Sequence, residues 1–413
     1  MLTARRIAWL CLGLAALSPA PAAAVDGNIG GLDINLSGLA EFRFVAPSRE
    51  SGHTAGGLGK TSWGQERGFP VVPDFGPLIL RGSIGFTPDL RFVTNLRVDP
   101  KQKTAVDMLD AYIRYRPVST SRWRWTLRAG AFFPPISLEN TGIGWTPEWT
   151  LTPSAINSWV GQELRVLGGE ATLEWRGERD RIEAVVAAYG WNEPAGAAID
   201  GYGWSFSQHP VGLFGHVRLP NVDDPLGPRV YSYQFRQFDH SVGYYAGLAW
   251  ERPDIGRVAL LRYDNQGDPN AHDSTEFGWR TMFWSLALST EIGPVTVLAQ
   301  GMVGSTTIST AINETSRTDF WSYYVLAGIE RGPWRFAVRF DQFAIRENVA
   351  DAGIGGDERG VAATAAVTWT PRKGISLTGE VVAIESTRSQ RQLLGRSPRA
   401  TEIQAQVALR LWF

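Results

Sequence analysis

Residues 399–413 read RATEIQAQVALRLWF. From Thr401 on, apolar and polar side chains alternate. Ile403, Ala405, Val407, Leu409, Leu411 and Phe413 fall on one side; Glu402, Gln404, Gln406 and Arg410 fall on the other. Period-two alternation places the two sets on opposite faces of a β-strand. The run is about ten residues, the length of a tilted strand that crosses a bilayer. A half-buried edge strand of a soluble sandwich carries the same pattern, so the remaining sequence has to separate the two.

Alternation recurs at 33–45, 78–87, 90–98, 107–116, 122–132, 163–176, 180–189, 242–251, 255–264, 277–291, 294–303, 320–330, 334–343, 361–370 and 375–384. With the last strand this predicts about sixteen, an even number as a single-chain bacterial barrel requires. No stretch reads as a helix, and 229–236 is assigned to a loop excursion. Short connections rich in Pro, Gly and Asp, such as Thr87-Pro88-Asp89, Gly293-Pro294 and Gly332-Pro333, are turn sequences. They alternate with long ones, among them 46–77, 133–162, 190–241 and 304–319. Short turns on one rim and long loops on the other mark an all-β, antiparallel up-and-down transmembrane barrel.

Composition agrees. Aromatic residues make up 11% of the chain, 17 of them Trp, enough to furnish belts at both membrane interfaces. Phe86, Tyr115, Trp125, Trp175, Trp250, Trp334 and Trp369 lie close to short turns; Tyr189, Trp191, Tyr244, Phe277, Trp279, Trp321 and Phe343 lie near long loops. Residues 1–24 have the layout of a secretory leader: Arg5 and Arg6, an apolar core from Ile7 to Leu17, then Ala22-Ala23-Ala24. The domain expected after it is 25–413, exported to the bacterial outer membrane. The chain's single cysteine, Cys11, lies in the leader, so disulfide and thiol chemistry are excluded from the remainder. Without Arg5 and Arg6 the balance is 38 basic residues against 41 acidic, which does not suit nucleic-acid binding.

The face opposite the apolar one is heavily charged. Arg122, Arg124 and Arg128 alternate with Trp123, Trp125 and Leu127; Arg335, Arg339 and Asp341 alternate with Trp334, Phe336 and Phe340. A lipid-facing Arg at mid-depth costs about 2–4 kcal/mol, so these charges are expected to point into a wet lumen. In 163–176 the parity of the polar residues switches at Leu167-Gly168-Gly169, where a β-bulge is expected.

Two features carry a resemblance. The terminal amphipathic strand ending in Phe413 resembles the C-terminal signal of Gram-negative outer-membrane barrels, which their assembly machinery reads. The segment Arg128-Ala129-Gly130-Ala131-Phe132-Phe133-Pro134-Pro135, with Asn157 and Glu163-Leu164-Arg165, resembles the strand–loop–strand of the sixteen-stranded phosphate-selective and carboxylate-type porin families. The resemblance implies an outer-membrane porin: a water-filled channel for passive diffusion of small hydrophilic solutes, polar or anionic, commonly a homotrimer and without a cofactor. It also implies that the loop between strands five and six folds inward as a constriction. The expected pore lining is Arg97, Arg114, Arg124, Arg128 and Arg165 on the wall, with Glu139 and Glu148 on the loop, and Phe413 as the assembly signal. The chain has four lysines, at 60, 101, 103 and 373, fewer than a phosphate-selective lumen uses. Expected partners are small solutes, outer-membrane lipid and lipopolysaccharide, and the barrel assembly machinery.

The competing reading is a structural or adhesive barrel with its lumen closed by the loops. An enzyme is not expected. His53, His209, His216, His240 and His272 all lie in predicted long loops without zinc-type spacing, and Ser241 beside His240 would point to the opposite face of a strand. The reading of the last strand makes one prediction: deleting Phe413 lowers the folded, heat-modifiable fraction in the outer membrane while export continues. Undiminished folded protein in the deletion would remove that role.

Overall fold

In the computed structural model, Arg399–Trp412 is the strand that closes a ring. The structure describes residues 25–413 apart from 67, 69, 101, 223–227, 312–313 and 349–354; the proposed leader, 1–24, lies outside the described residues. The ring consists of β1 (Leu32–Ala46), β2 (Val72–Gly85), β3 (Leu90–Val98), β4 (Val106–Tyr115), β5 (Trp123–Phe132), β6 (Val166–Arg176), β7 (Arg181–Gly190) and β8 (Gly243–Arg252). It continues through β9 (Gly256–Asp264), β10 (Arg280–Ile292), β11 (Val295–Ala311), β12 (Glu314–Arg331), β13 (Trp334–Asn348), β14 (Glu358–Arg372), β15 (Ile375–Arg388) and β16 (Arg399–Trp412). Each strand pairs antiparallel with its chain neighbour, and β16 pairs with β1 from Ala405↔Ala46 to Trp412↔Leu39. The chain is therefore an all-β transmembrane barrel of sixteen strands, with short turns on the periplasmic rim and long loops on the extracellular one.

Closure matters because hydrocarbon offers no partner to a bare sheet edge. At the seam, Gly38 and Phe413 exchange two backbone hydrogen bonds of 3.1 Å. A Cβ on Gly38 would stand 2.5 Å from the Phe413 ring, so a larger residue there would push the ring aside. Past Phe413 the edge of β1 would be open. A short leading strand, Val25–Ile29, pairs with it there, from Val25↔Leu36 to Ile29↔Leu32; the alternation pattern did not predict this strand.

Three expectations are corrected. The supposed loop 304–319 is mostly strand: β11 runs to Ala311 and β12 starts at Glu314. No bulge interrupts β6, whose pairing to β5 and β7 is continuous through Leu167, Gly168 and Gly169. Glu163 and Arg165 break parity because they precede the strand. Glu163 ends a helix, α1 (Ala155–Glu163), which with a second, α2 (Ala197–Tyr202), also overturns the expectation of no helix. Segment 229–236 is a loop excursion, its Val230–Ser232 pairing with Val217–Leu219.

The lipid face carries the predicted apolar set of β16, with Val407 46% exposed and Leu409 38%. Trp123, Trp125, Trp334 and Trp369 stand exposed near the short turns, the last two stacked at 6.0 Å. The upper belt is thinner than expected, because Tyr189, Trp279 and Phe343 are buried. Tyr189 stacks on Tyr263 at 5.4 Å and Phe343 packs edge-on to Phe206 at 5.9 Å. These rings belong to a core inside the barrel. Val407 lies near the middle of β16 and Leu409 nearer its periplasmic end. Val407→Arg should therefore destabilise the barrel by about 2–4 kcal/mol and Leu409→Arg by less. Urea unfolding in detergent or lipid checks the order; equal stability of both variants and the parent would contradict the assigned depth.

Candidate functional site

The connection between β5 and β6, residues 133–165 (loop 3), enters the barrel. Trp145 stacks on Phe133 at 4.1 Å with planes 10° apart. The chain then runs to the far wall. Arg410 donates to the Pro147 carbonyl (3.3 Å), and Arg335, beside the β12–β13 turn, donates to the Glu148 carbonyl (2.6 Å). The Arg335 guanidinium also lies 4.9 Å over the Trp149 ring. Returning, the loop is held by the Glu380 carboxylate of β15, which accepts from the Leu151 (2.5 Å) and Thr152 (3.1 Å) amides. Ser154 then caps α1, accepting from the Asn157 amide at 3.2 Å.

Arg339 on β13 is the centre of this attachment. Its guanidinium, fully buried, meets Glu139 at 2.5 Å and Asp341 at 2.8 Å. It also donates to the carbonyls of Thr152 (2.7 Å) and Pro153 (3.0 Å). Glu139 accepts from the Ser154 amide (3.0 Å) and Asn157 Nδ2 (2.9 Å); Asp341 accepts from the Ala155 amide (3.2 Å). Two carboxylates thus face the positive end of α1, and one arginine balances them.

The connection between β7 and β8, residues 191–242 (loop 4), packs on α1 from the extracellular side. Glu163 accepts from the amides of Ala198 (2.8 Å) and Gly196 (3.0 Å) and from Trp159 Nε1 (2.5 Å). Burial pushes this carboxyl up to about 7, against those donors from Ala198, Trp159 and Gly196. A folded value above the ordinary 4.5 means that this group's contribution to stability is complete below 4.5 and lost as pH rises through 7. Trp159 packs edge-on to Trp204 (5.9 Å), Phe283 (5.6 Å) and Phe320 (5.1 Å). Loop 1, residues 47–71, adds a second buried clamp. Lys60 pairs with Glu358 at 2.5 Å and donates to the Tyr202 carbonyl; Arg388 pairs with Glu358 at 3.0 Å and donates to the carbonyls of Asp200 and Gly201.

Among the described residues, loops 1, 3 and 4 pack against the lumen wall at mid-height. Every strand of the ring contributes at least one inward side chain that is buried, from Val45 and Ile79 round to Glu380 and Gln406. A cavity among Glu41, Arg43, Arg97, Trp145 and Arg410 measures about 10 Å³, room for roughly one water.

The residues expected to line a pore divide into groups. Arg97 pairs with Asp99 at 2.7 Å and donates to the Pro210 carbonyl. Arg165 donates to the carbonyls of Gly161 (3.1 Å) and Val211, and its guanidinium lies 4.6 Å over Phe133; both arginines hold loop 4. Arg128 pairs with Glu170 at 2.7 Å and lies over Phe132 at 4.1 Å. Arg114 sits between Arg91 and Arg128 in a row across β3, β4 and β5. Neither Arg114 nor Arg124 has a carboxylate partner among the described residues. Glu139 and Glu148 do not oppose these arginines, as the loop was expected to arrange. Loop 3 crosses the lumen, so β13 supplies their partners, Arg339 for Glu139 and Arg335, at 3.7 Å, for Glu148. Sequence reasoning missed Arg339, Glu380 and the Lys60–Glu358–Arg388 clamp as attachment points. Their signal was their place on the polar face of each strand, and Lys60 is one of only four lysines.

No family model matches the chain, and no curated protein matches it in sequence. Solved structures do match in fold. The outer membrane channel DcaP of Acinetobacter baumannii aligns with a TM-score of 0.58 at 11% identity, covering 95% of this chain and 100% of that one. OmpT, an outer membrane protein of Vibrio cholerae, aligns at 0.51 and 6% identity, covering 94% and 100%. Its trimer form aligns at 0.50 and 7%, covering 92% and 99%. At such identities the likeness is one of fold alone, that of bacterial outer-membrane β-barrels.

Breaking the central attachment has a predictable result. Arg339→Ala leaves Glu139 and Asp341 buried without their cation, a change that costs about 3–5 kcal/mol. Loop 3 should become cleavable by added protease while the barrel stays heat-modifiable. Protection equal to the parent would contradict the attachment.

Proposed function

We propose that this protein is a bacterial outer-membrane channel for passive diffusion of small polar or anionic solutes, closed in this conformation by its own loops. The carrying observation is the charge on the periplasmic half of the lumen. Arg81, Arg114 and Arg124 face inward from β2, β4 and β5, exposed or half-buried, with no carboxylate partner among the described residues. Cations outside any ion pair on one wall of an aqueous vestibule attract anions, even with Glu174 opposite Arg124 and Asp110 near Arg81, and low-dielectric walls focus that field. Arg remains charged at any working pH and binds carboxylate or phosphate bidentately. The fold supports the outer-membrane setting, delivery by the barrel assembly machinery, and a trimer, since one matched protein is described in a trimer form.

A second reading has an observation in its favour. The packed lumen, with Trp159 and Trp204 at 2% and 0% exposure, is what a permanently closed structural or adhesive barrel would show. Electrical recording separates the two. If the channel reading holds, planar bilayers containing the protein show discrete current steps. Arg114→Ala should then lower the anion-to-cation permeability ratio about twofold, equivalent to about 0.4 kcal/mol, with a smaller change at high salt. Glu139→Ala should change the ratio less than Arg114→Ala does, because Glu139 lies in the buried cluster with Arg339. Absence of current steps over the full voltage range would favour the closed barrel; an unchanged ratio in Arg114→Ala at low salt would remove Arg114 from the path.

A further inference from the structure

Outside the barrel, on the extracellular half of the lipid face, lies a groove of about 490 Å³ between β9 and β13. It has two tiers. The lower tier is the continuous cross-strand row Arg262, Trp284, Val303, Trp321 and Ala344. Trp284 and Val303 in it are 47% and 57% exposed. Apolar side chains here meet acyl chains and need no other explanation. The upper tier does. Arg262 lies 5.5 Å from the Trp284 ring and directs Nη2 to 3.1 Å from Met282 Sδ, carrying its charge up one row. Met282 is in register with Ser305, Asp319 and Arg346, and Arg317 stands beside Asp319 at 2.8 Å.

Two carboxylates temper this tier. Asp319 pairs with Arg317, and Asp264 lies 3.9 Å from Arg262 and 3.6 Å from Arg280. Arg346 has no carboxylate partner among the described residues, so the groove keeps a positive excess. Outward-facing arginines above an interfacial Trp pair stand where lipid headgroups lie. The planar guanidinium matches phosphate oxygens in pairs. A freely diffusing phosphate would use the upper tier alone; a lipid uses both, with its phosphate on the arginines and its chains along Trp284, Val303 and Trp321.

We propose that the groove binds a phosphate-bearing lipid of the outer leaflet, its headgroup held by Arg262, Arg317 and Arg346. The site is on the outer surface and does not depend on the lumen conducting. The test uses the whole protein in detergent and native mass spectrometry. The probes are a bisphosphorylated glucosamine-disaccharide lipid and its dephosphorylated counterpart. The parent should prefer the phosphorylated lipid about tenfold, as charge-assisted pairing implies. The triple variant Arg262→Gln, Arg317→Gln, Arg346→Gln should lose that preference, the single Arg346→Gln should reduce it, and Lys373→Gln at the opposite rim should keep it. Heat-modifiability of each variant confirms folding, and Arg346→Gln alone suffices if the triple variant misfolds. Millimolar inorganic phosphate should fail to displace the lipid. Equal preference in the parent and Arg346→Gln, displacement by inorganic phosphate, or no preference in the parent would each overturn the proposal. Single-channel currents of the variants should match the parent, which keeps this outcome separate from that of the channel reading.

Discussion

An unpaired backbone N–H or C=O facing hydrocarbon costs several kcal/mol, and that constraint organises the molecule. It requires β16 to find β1 and the sheet to have no bare edge within the bilayer. Once the ring is closed, every side chain faces either lipid or lumen, with no third choice. Val407 and Leu409 meet lipid; Glu402, Gln404 and Gln406 are buried inside. The charges of β13 to β15 follow the same parity, which puts Arg339, Asp341, Glu358, Glu380 and Arg388 in the interior.

Closure creates a second condition. A ring of this size is wider than its own side chains can fill, so the interior holds either water or other parts of the chain. Here loops 1, 3 and 4 enter it. Their middle is apolar, around Trp159, and their attachments to the wall are ionic. Buried ion pairs add little net stability relative to apolar packing, yet losing one partner is expensive because the other remains charged and dry. Such attachments fix one loop position with specificity, and Arg81, Arg114 and Arg124 take no part in them.

The barrel was legible because period-two alternation is local: each strand of the ring can be found from about ten consecutive residues. The extended tops of β11 and β12 were missed because 304–319 is rich in Ser and Thr and loses the apolar-polar contrast. The helix α1 was missed because its residues are buried on all sides, which erases the amphipathic stripe by which a helix is recognised. Tyr189 and Phe343 were read as membrane-facing since an aromatic at a strand end fits either side; their neighbours across the lumen decided. The attachment site was least legible. Glu139 and Arg339 are 200 positions apart, and nothing local in either segment shows that loop 3 crosses to the far wall.

The central claim is that a charged path through the barrel exists and that loop 3, held by Arg339, closes it. Single-channel current through the parent and Arg339→Ala, recorded side by side in planar bilayers, addresses it directly. The account predicts that the parent spends most of its time at the closed level, and that the variant, freed of the attachment at α1, opens more often to the same conductance or a larger one. Open-channel traces indistinguishable between the two, or silence from both, would contradict it.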